Sequence, residues 1–224
     1  MSISKTIGIL LQGKISEWTQ DIVTEYQKNF PNSEILLSTW EGENTNDLTC
    51  NVVKSKPPPM IKNYGDTVNF QIVGCQEGLK NLKTDIILKC RTDQFIHNPK
   101  IFEIFENYCS SEKIMVPDIG TYRDKLRASD LCQIAYRQTM LDYWNNIPLY
   151  DGFRHKETGE YLTGYYILKI KNDNDPWKLT LRKYFCVKSY SDDFQIEFEK
   201  VNNFENYKNM FDLAFDRRAS LDVI

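Results

Sequence analysis

The sequence predicts an α/β domain with a mainly parallel central sheet that is flanked by helices, and with a helix-rich C-terminal part. Residues 7–11 form a continuous apolar run (IGILL), which is typical of a strand buried on both faces. Apolar residues recur at helical spacing over 15–30, and a second, largely apolar run follows at 34–40. Strand, helix and strand in this order indicate a βαβ unit, whose two strands lie parallel in one sheet.

The same patterns predict the remaining elements. Short apolar runs indicate further strands at 51–54, 85–90, 113–116, 129–136 and 194–198. Helical spacing indicates further helices at 67–83, from Asn98–Pro99 to about 108, and at 138–147, 160–170, 177–187 and 205–216. Residues 1–117 are therefore expected to be βαβ-like and residues 118–224 mixed, the two halves together making a single domain.

Composition narrows the class of protein. The 224 residues carry a net charge of −3 with scattered Lys and Arg, which argues against nucleic acid as the partner. The six cysteines form no C-x-x-C pair, and His97 and His155 lie far apart, so no zinc-site pattern is present and the thiols are expected to be reduced. The N-terminal apolar run is too short for a signal peptide or a membrane span. A cytoplasmic protein is expected, with peripheral docking at a membrane left open.

The most informative local pattern is TDIILKCRTDQ, residues 84–94. Alternation along a strand puts Lys89, Arg91 and Asp93 on one face at its carboxyl end. One carboxylate beside two cations suits a diphosphate together with Mg²⁺ or Mn²⁺, because these ions prefer oxygen ligands. The competing interpretation is a surface ion-pair cluster.

Two other strand ends carry candidate ligand-binding residues. Gln12 and Gly13 follow the first strand and precede a helix, whose N-terminus favours an anion; an ordinary strand-to-helix turn is the alternative. Trp40 and Glu41 follow the second strand and could stack on a base and accept from a hydroxyl, although packing is the commoner role of such a Trp. The D-x-D triplet at 173–175 lies in a polar loop rather than after a buried strand, so we expect no metal there.

Several of these segments, in this order, resemble the WavE lipopolysaccharide synthesis family. They are IGILLQGKI, ILLSTWEG, VNFQIVGCQEGLK, TDIILKCRTD and SDLCQIAYRQTMLDYWNNIPL. The resemblance extends from residue 6 to about residue 170. It implies a GT-A-type fold and a glycosyltransferase that uses a nucleotide-sugar donor, with 1–117 as the donor-binding half and 118–224 as the acceptor and catalytic half.

The resemblance also implies roles for individual residues. The donor would be bound by Gln12, Gly13, Trp40, Glu41, Asn69, Gln71, Lys89 and Arg91. Asp93 would hold Mn²⁺ or Mg²⁺, and Asp130 of the S-D element and Glu160 of E-Y-L would be the catalytic residues. The sequence departs from the family pattern at Phe70, where a basic residue is expected, and in having one aspartate in the metal motif.

The predicted activity is transfer of a sugar from a nucleotide-sugar donor to a glycan acceptor, in the synthesis of surface polysaccharide or a related glycan. A sugar nucleotidyltransferase is a weaker alternative, because such enzymes need a glycine-rich basic loop and LLQGKI has one glycine. A non-catalytic scaffold with a nucleotide-sugar fold is the third hypothesis. The sequence predicts neither the identity of the sugar nor an oligomeric state.

Overall fold

The computed structural model describes residues 5–61, 67–153 and 157–199. Within these ranges the strands are β1 (Ile7–Gln12), β2 (Ser33–Trp40), β3 (Asn51–Ser55), β4 (Ile86–Arg91), β5 (Gln94–Ile96), β6 (Ile114–Pro117), β7 (Gln133–Tyr136), β8 (Phe185–Lys188) and β9 (Ile196–Phe198). The helices are α1 (Thr19–Asn29), α2 (Thr67–Asn81), α3 (Ile101–Tyr108), α4 (Arg137–Trp144), α5 (Thr158–Tyr165) and α6 (Trp177–Tyr184), with π-helical turns at Tyr166–Ile170 and Tyr190–Phe194.

Seven strands form one sheet in the order β3-β2-β1-β4-β7-β6-β8. The pairs β1–β2, β2–β3, β1–β4 and β6–β8 are parallel, whereas β7 runs antiparallel to both of its neighbours. Strands β5 and β9 form a separate antiparallel pair. The expectation of a mainly parallel sheet flanked by helices is confirmed, and strands from both halves of the chain share that sheet.

The alternation of side chains along the strands divides the core into two layers. Leu10 and Ile87 pack on the side of α2, α4 and α5, where Trp144 is fully buried. Ile9 and Leu88 pack on the opposite side, which α1 and α3 cover. Because both faces of β1 and β4 are buried, these strands carry continuous apolar runs rather than alternating ones.

Helix α2 approaches the sheet closely because it carries two glycines on the face that meets β1. A Cβ at Gly78 would lie 2.3 Å from Cδ1 of Leu10, and a Cβ at Gly74 would lie 2.8 Å from Cγ of Gln12. Ser38 Oγ also donates to the carbonyl oxygen of Gly74 at 2.7 Å. The glycines that weaken the helical pattern in the sequence therefore serve helix–sheet packing.

The sequence prediction was wrong at two places in the second half. Residues 129–132 are loop, and the strand there begins only at Gln133. The helix expected over 177–187 ends at Tyr184, because Phe185 turns to an extended conformation and β8 begins. The run Phe185–Lys188 pairs with β6, so tertiary pairing decides its structure over local helical spacing.

Smaller differences concern helix starts. Helix α1 begins at Thr19 rather than near Ser16, and α3 begins at Ile101, two residues after Pro99. The predicted helix 205–216 and His155 lie outside the described residues. None of the helices in the described ranges has the length and apolar character needed to cross a bilayer.

Candidate functional site

Three parallel strands end side by side at the carboxyl edge of the sheet. Gln12 of β1 pairs in register with Ser38 of β2 and with Arg91 of β4. Because β7 runs in the opposite direction, the residues that precede Gln133 reach the same edge, and Asp130 is among them. Ligands of α/β sheets bind beyond the carboxyl ends of the parallel strands. The fold therefore brings the predicted residues at positions 12, 91 and 130 to the edge where a ligand is expected.

The turn after β1 is fixed against the turn after β4. Gly13 donates its backbone N–H to the carbonyl oxygen of Ser38 at 3.1 Å, and Oγ1 of Thr92 donates to the carbonyl oxygen of Lys14 at 2.5 Å. Gly13 has φ +142°, and a Cβ there would lie 2.9 Å from Oγ1 of Thr92. Only glycine suits this conformation and this contact. The predicted nucleotide-binding turn is thus held in one position by its neighbour.

Trp40 and Glu41 differ in exposure. The indole of Trp40 is buried and packs edge-on against Phe70, with ring centroids 5.0 Å apart, so stacking on a base would require it to move. Phe70, where the resemblance led us to expect a basic residue, is part of this aromatic contact. Glu41 is exposed. Glu43, which the sequence did not single out, accepts from the backbone N–H of Ile15 at 3.2 Å and joins this loop to the turn after β1.

Two of the predicted donor-binding amides are used within the protein. Gln12 Nε2 donates to the carbonyl oxygen of Phe70 at 3.2 Å. Asn69 clamps the backbone of Tyr150: its Nδ2 donates to the Tyr150 carbonyl oxygen at 3.0 Å, and its Oδ1 accepts from the Tyr150 N–H at 2.7 Å. Both side chains are buried. Gln12 therefore binds the backbone of α2, and Asn69 joins α2 to the loop at Tyr150. A direct contact of either side chain with a donor stays a prediction.

Lys89, Gln71 and Asp130 form a buried polar cluster. Lys89 is fully buried; its Nζ donates to the backbone carbonyl oxygen of Asp130 at 2.7 Å and to Oε1 of Gln71 at 3.2 Å. Gln71 in turn donates from Nε2 to Oδ2 of Asp130 at 2.7 Å. From this position Lys89 holds the backbone at Asp130, and its expected role in neutralising a diphosphate stays a prediction. The sequence could not show this position, because strand alternation gives the face of a residue and not its depth.

The second oxygen of Asp130 faces the first turn of α5. A Cβ at Gly159 would lie 3.0 Å from Oδ1 of Asp130, and the N–H of Ala128 donates to Oγ1 of Thr163 at 2.9 Å, which holds the loop on the helix. Burial and the Asp130 carboxylate together raise the pKa of the neighbouring Tyr143 above its ordinary value. One carboxylate oxygen of Asp130 is therefore fixed by Gln71, and the other lies beside a helix N-terminus that favours negative charge.

Arg91 and Asp93 form a bidentate ion pair at the end of β4. Arg91 Nε and Nη2 donate to Oδ1 and Oδ2 of Asp93, each at 2.7 Å, and the guanidinium carbon lies 5.1 Å from the ring centroid of Phe198. The backbone carbonyl oxygen of Asp93 accepts from the N–H of Glu199 at 3.0 Å. The short pair of strands β5 and β9 thus closes over this ion pair, and of the two predicted cations Arg91 is the one that remains partly exposed.

The predicted metal ligand does not sit in a metal-binding donor set. Both carboxylate oxygens of Asp93 accept from Arg91. Over residues 5–61, 67–153 and 157–199, no group of three or more His, Cys, Asp or Glu side chains is arranged to hold a metal ion. Mg²⁺ is commonly held by one or two carboxylates plus substrate phosphates. In the observed arrangement the Asp93 carboxylate is engaged by Arg91, and its role as a metal ligand stays a prediction.

A second charged cluster surrounds Glu160. Lys125 Nζ lies 2.6 Å from Oε1 of Glu157 and 3.7 Å from Oε2 of Glu160. Arg127 also pairs with Glu157, and its guanidinium carbon lies 4.6 Å from the ring centroid of Tyr122. Glu157 and the two cations were missed by sequence reasoning, although the charged run RDKLRASD just before Asp130 was a usable signal. Glu160 belongs to this ion-pair cluster, and no contact between its side chain and Asp130 is observed.

The D-x-D triplet at 173–175 has a structural role in the described chain. Oδ2 of Asp173 accepts from Lys183 Nζ at 2.7 Å and from the Tyr184 hydroxyl at 2.8 Å, and its Oδ1 accepts from the N–H of Asp175 at 2.9 Å. The hydrogen bond from Lys183 and the others lower the pKa of Asp173 to about 2. This aspartate therefore ties the loop to α6.

Asp173→Asn is expected to lower the melting temperature at pH 7, because the variant loses the charged partner of Lys183. Since the folded pKa of Asp173 lies below its ordinary value of 3.8, its contribution is present above about pH 4 and falls as the pH drops toward 2. The difference in melting temperature between wild type and variant should therefore shrink between pH 5 and pH 3, as measured by circular dichroism. A constant difference over this range would contradict the assignment.

Residues 10–118 match the family model described as WavE lipopolysaccharide synthesis. The match confirms the family resemblance over just under half of the chain. It ends before Asp130 and Glu160, whose catalytic roles therefore stay predictions. No curated protein matches the chain in a sequence comparison.

Solved structures with a similar fold include a nucleotidyl transferase and a synthase. A nucleotidyl transferase from Methanothermobacter thermautotroptrophicus matches with 12% identity and a TM-score of 0.56, over 95% of this chain and 99% of that one. A 4-diphosphocytidyl-2C-methyl-D-erythritol synthase from Anaerococcus prevotii matches with 10% identity and a TM-score of 0.52, over the same shares. At these identities the likeness shows the fold alone: the chain has the α/β fold of these two structures.

Proposed function

From the family match over residues 10–118, we propose that this chain is a glycosyltransferase that moves a sugar from a nucleotide-sugar donor to a glycan acceptor. The observation that carries the proposal is the convergence at one sheet edge of a backbone turn, a cation and an oriented carboxylate. These are the turn at Gly13, the guanidinium of Arg91 and the carboxylate of Asp130. Surface polysaccharide or a related glycan is the proposed product.

The donor diphosphate requires positive charge as it leaves. Arg91 is suited to this because its planar guanidinium can bind phosphate oxygens in a bidentate manner, as it now binds Asp93. A diphosphate that arrived at the end of β4 would compete with Asp93 for the same N–H groups. Asp93 therefore holds Arg91 in place before the donor binds, and its role as a ligand of Mn²⁺ or Mg²⁺ is a separate proposal.

The acceptor hydroxyl requires a base as it attacks. Asp130 is the better placed of the two predicted carboxylates, because Gln71 fixes one of its oxygens and the helix N-terminus lies beside the other. A general base must lie within hydrogen-bond reach of the proton it takes, and a fixed carboxylate at the sheet edge satisfies this for an acceptor bound there. Glu160 is engaged with Lys125 and is the second candidate.

The first experiment is a thermal-shift screen of nucleotide sugars and nucleoside diphosphates, followed by product analysis with the ligand that binds. A ligand that binds only the folded state raises the melting temperature, and the rise grows with the logarithm of its concentration over Kd once the ligand exceeds Kd. Release of a nucleoside diphosphate with sugar transferred to a saccharide acceptor supports the proposal. Formation of a nucleotide sugar and pyrophosphate from a sugar phosphate would identify a nucleotidyltransferase instead, and the absence of binding to every member of the panel would favour a scaffold.

Two variants separate the roles of Arg91 and Asp93. If Asp93 only holds Arg91, Asp93→Ala should retain binding of the diphosphate without metal, whereas Arg91→Ala should lose it. If Asp93 binds Mn²⁺, Asp93→Ala should abolish transfer and remove any part of the thermal shift that depends on Mn²⁺. Full transfer activity in Asp93→Ala would exclude an essential metal ligand at this position.

A further inference from the structure

A cavity lies along the free edge of the seven-stranded sheet, where β8 is the terminal strand. Its volume is about 530 Å³, and its lining includes Cys186 together with Lys113 and Lys188. Lys188 Nζ lies 3.6 Å from the ring centroid of Tyr108, which also lines the cavity. A half-buried thiol therefore lines an open cavity whose charged residues are Lys113, Arg182, Lys188 and Asp193, and this excess of positive charge favours the thiolate.

A second thiol reaches Cys186 from the end of α3. The Cys186 thiol donates to the carbonyl oxygen of Tyr108 at 3.7 Å, and the next residue along the chain is Cys109. The thiol of Cys109 lies close enough to that of Cys186 for the two groups to affect each other's ionisation. The interaction with Cys109 lowers the pKa of Cys186, and Lys188 and Lys113 act in the same direction, whereas burial and the Asp193 carboxylate oppose them. The same contact raises the pKa of Cys109.

The other four cysteines have no such surroundings. Burial raises the pKa of Cys75 and of Cys90 to about 12 and that of Cys132 well above its ordinary value, and all three are fully buried. Cys50 is half-buried like Cys186, yet burial raises its pKa as well. Cys50 is therefore a matched reference with similar exposure and without the paired thiol.

We propose that Cys186 is a modification site, a nucleophilic thiolate that reacts with hydroperoxides and is then captured by Cys109 as a disulfide. In the first step the thiolate attacks one peroxide oxygen, the O–O bond breaks, and Cys186 becomes a sulfenic acid as hydroxide leaves. In the second step Cys109 loses its proton and attacks the sulfenic sulfur, the S–O bond breaks, and the oxygen leaves as water. The two thiols lose two electrons, and hydrogen peroxide is reduced to two molecules of water.

The proposal is tested on the full reduced chain treated with one equivalent of hydrogen peroxide at pH 7, with free thiols then alkylated and the peptides mapped by mass spectrometry. We expect a Cys109–Cys186 disulfide in the wild type. In Cys109→Ser, a sulfenic acid at Cys186 should be trapped by dimedone. In Cys186→Ser, Cys109 should remain a thiol. A wild-type chain with no Cys109–Cys186 disulfide after this treatment would overturn the proposal.

A rate measurement separates a reactive thiol from a merely exposed one. Before any oxidation, iodoacetamide should alkylate Cys186 faster than Cys50, because the thiolate is the reacting form and the two pKa values are shifted in opposite directions. Lys188→Gln should slow alkylation of Cys186 severalfold and leave the rate at Cys50 unchanged. Equal rates at the two cysteines in the wild type would overturn the assignment of Cys186 as the nucleophile.

Discussion

Asp130→Asn is expected to lower kcat/KM for sugar transfer by ~10²- to 10⁴-fold, the range that general-base catalysis contributes. The asparagine keeps the volume of the aspartate and can still accept from Nε2 of Gln71, which lies 2.7 Å from Oδ2. It cannot take a proton from the acceptor hydroxyl. Because the variant also removes a negative charge near the buried Lys89, activity is compared at a temperature where both proteins are shown to be folded. The measurement is steady-state transfer with the donor identified by the thermal-shift screen.

Glu160→Gln is the comparison that decides between the two predicted bases. Glu160 lies 3.7 Å from Lys125 in a half-exposed cluster, and its loss is expected to change kcat/KM much less than the loss of Asp130. If Glu160→Gln instead lowers kcat/KM strongly and Asp130→Asn lowers it only slightly, Glu160 is the base and Asp130 is structural. Donor binding gives a second readout: Asp130→Asn should retain the thermal shift with the donor nucleotide, because the proposed defect lies in proton transfer and not in donor affinity.

The sequence predicts the first half of the fold well because apolar residues are spaced differently in its buried strands and in its helices. The run at 7–11 and the run at 85–90 are buried on both faces in a parallel sheet, and such strands are recognisable as continuous apolar segments. The second half is harder, since β8 has only four residues and owes its extended conformation to pairing with β6. A short edge strand beside a helix carries too little local signal to separate the two.

For the candidate site, the sequence predicts which residues lie near the sheet edge better than it predicts the contacts that each of them makes. Strand alternation put Lys89 and Arg91 on one face, but it could not show that Lys89 is fully buried while Arg91 is partly exposed at the end of the strand. It could not show that Gln71 would bridge Lys89 and Asp130, which are 41 residues apart. Such contacts depend on how helix α2 packs against the sheet, and local sequence patterns do not specify that packing.

Lys89→Met is expected to destabilise the folded protein by about 3 kcal/mol or more, which corresponds to a fall of ~6–12 °C in melting temperature for a chain of this size. The methionine fills much the same volume, so the cost arises from polarity. It leaves Oε1 of Gln71 and the carbonyl oxygen of Asp130 without their buried donor. It also leaves the Asp130 carboxylate without the nearby positive charge.

The matched control is Lys80→Met, the same substitution made at an exposed lysine instead of a buried one. Lys80 is exposed on α2 and pairs with Glu77 at 2.5 Å, so its loss should cost no more than ~0.5 kcal/mol. Chemical denaturation of both variants by urea gives the two free energies of unfolding. Similar costs for Lys80→Met and Lys89→Met would contradict the view that burial of Lys89 gives it its structural importance.

The double variant Lys89→Met with Asp130→Asn shows whether the two residues act as a unit. When the carboxylate is neutral, loss of the lysine no longer leaves an uncompensated charge, so the double variant should be more stable than the sum of the single effects predicts. For groups in one hydrogen-bonded network the difference is ~0.5–3 kcal/mol. Additive free energies would mean that Lys89 supports only the backbone at Asp130. A coupling of this size would mean that the buried lysine also stabilises the charged form of the carboxylate that is proposed to act as the base.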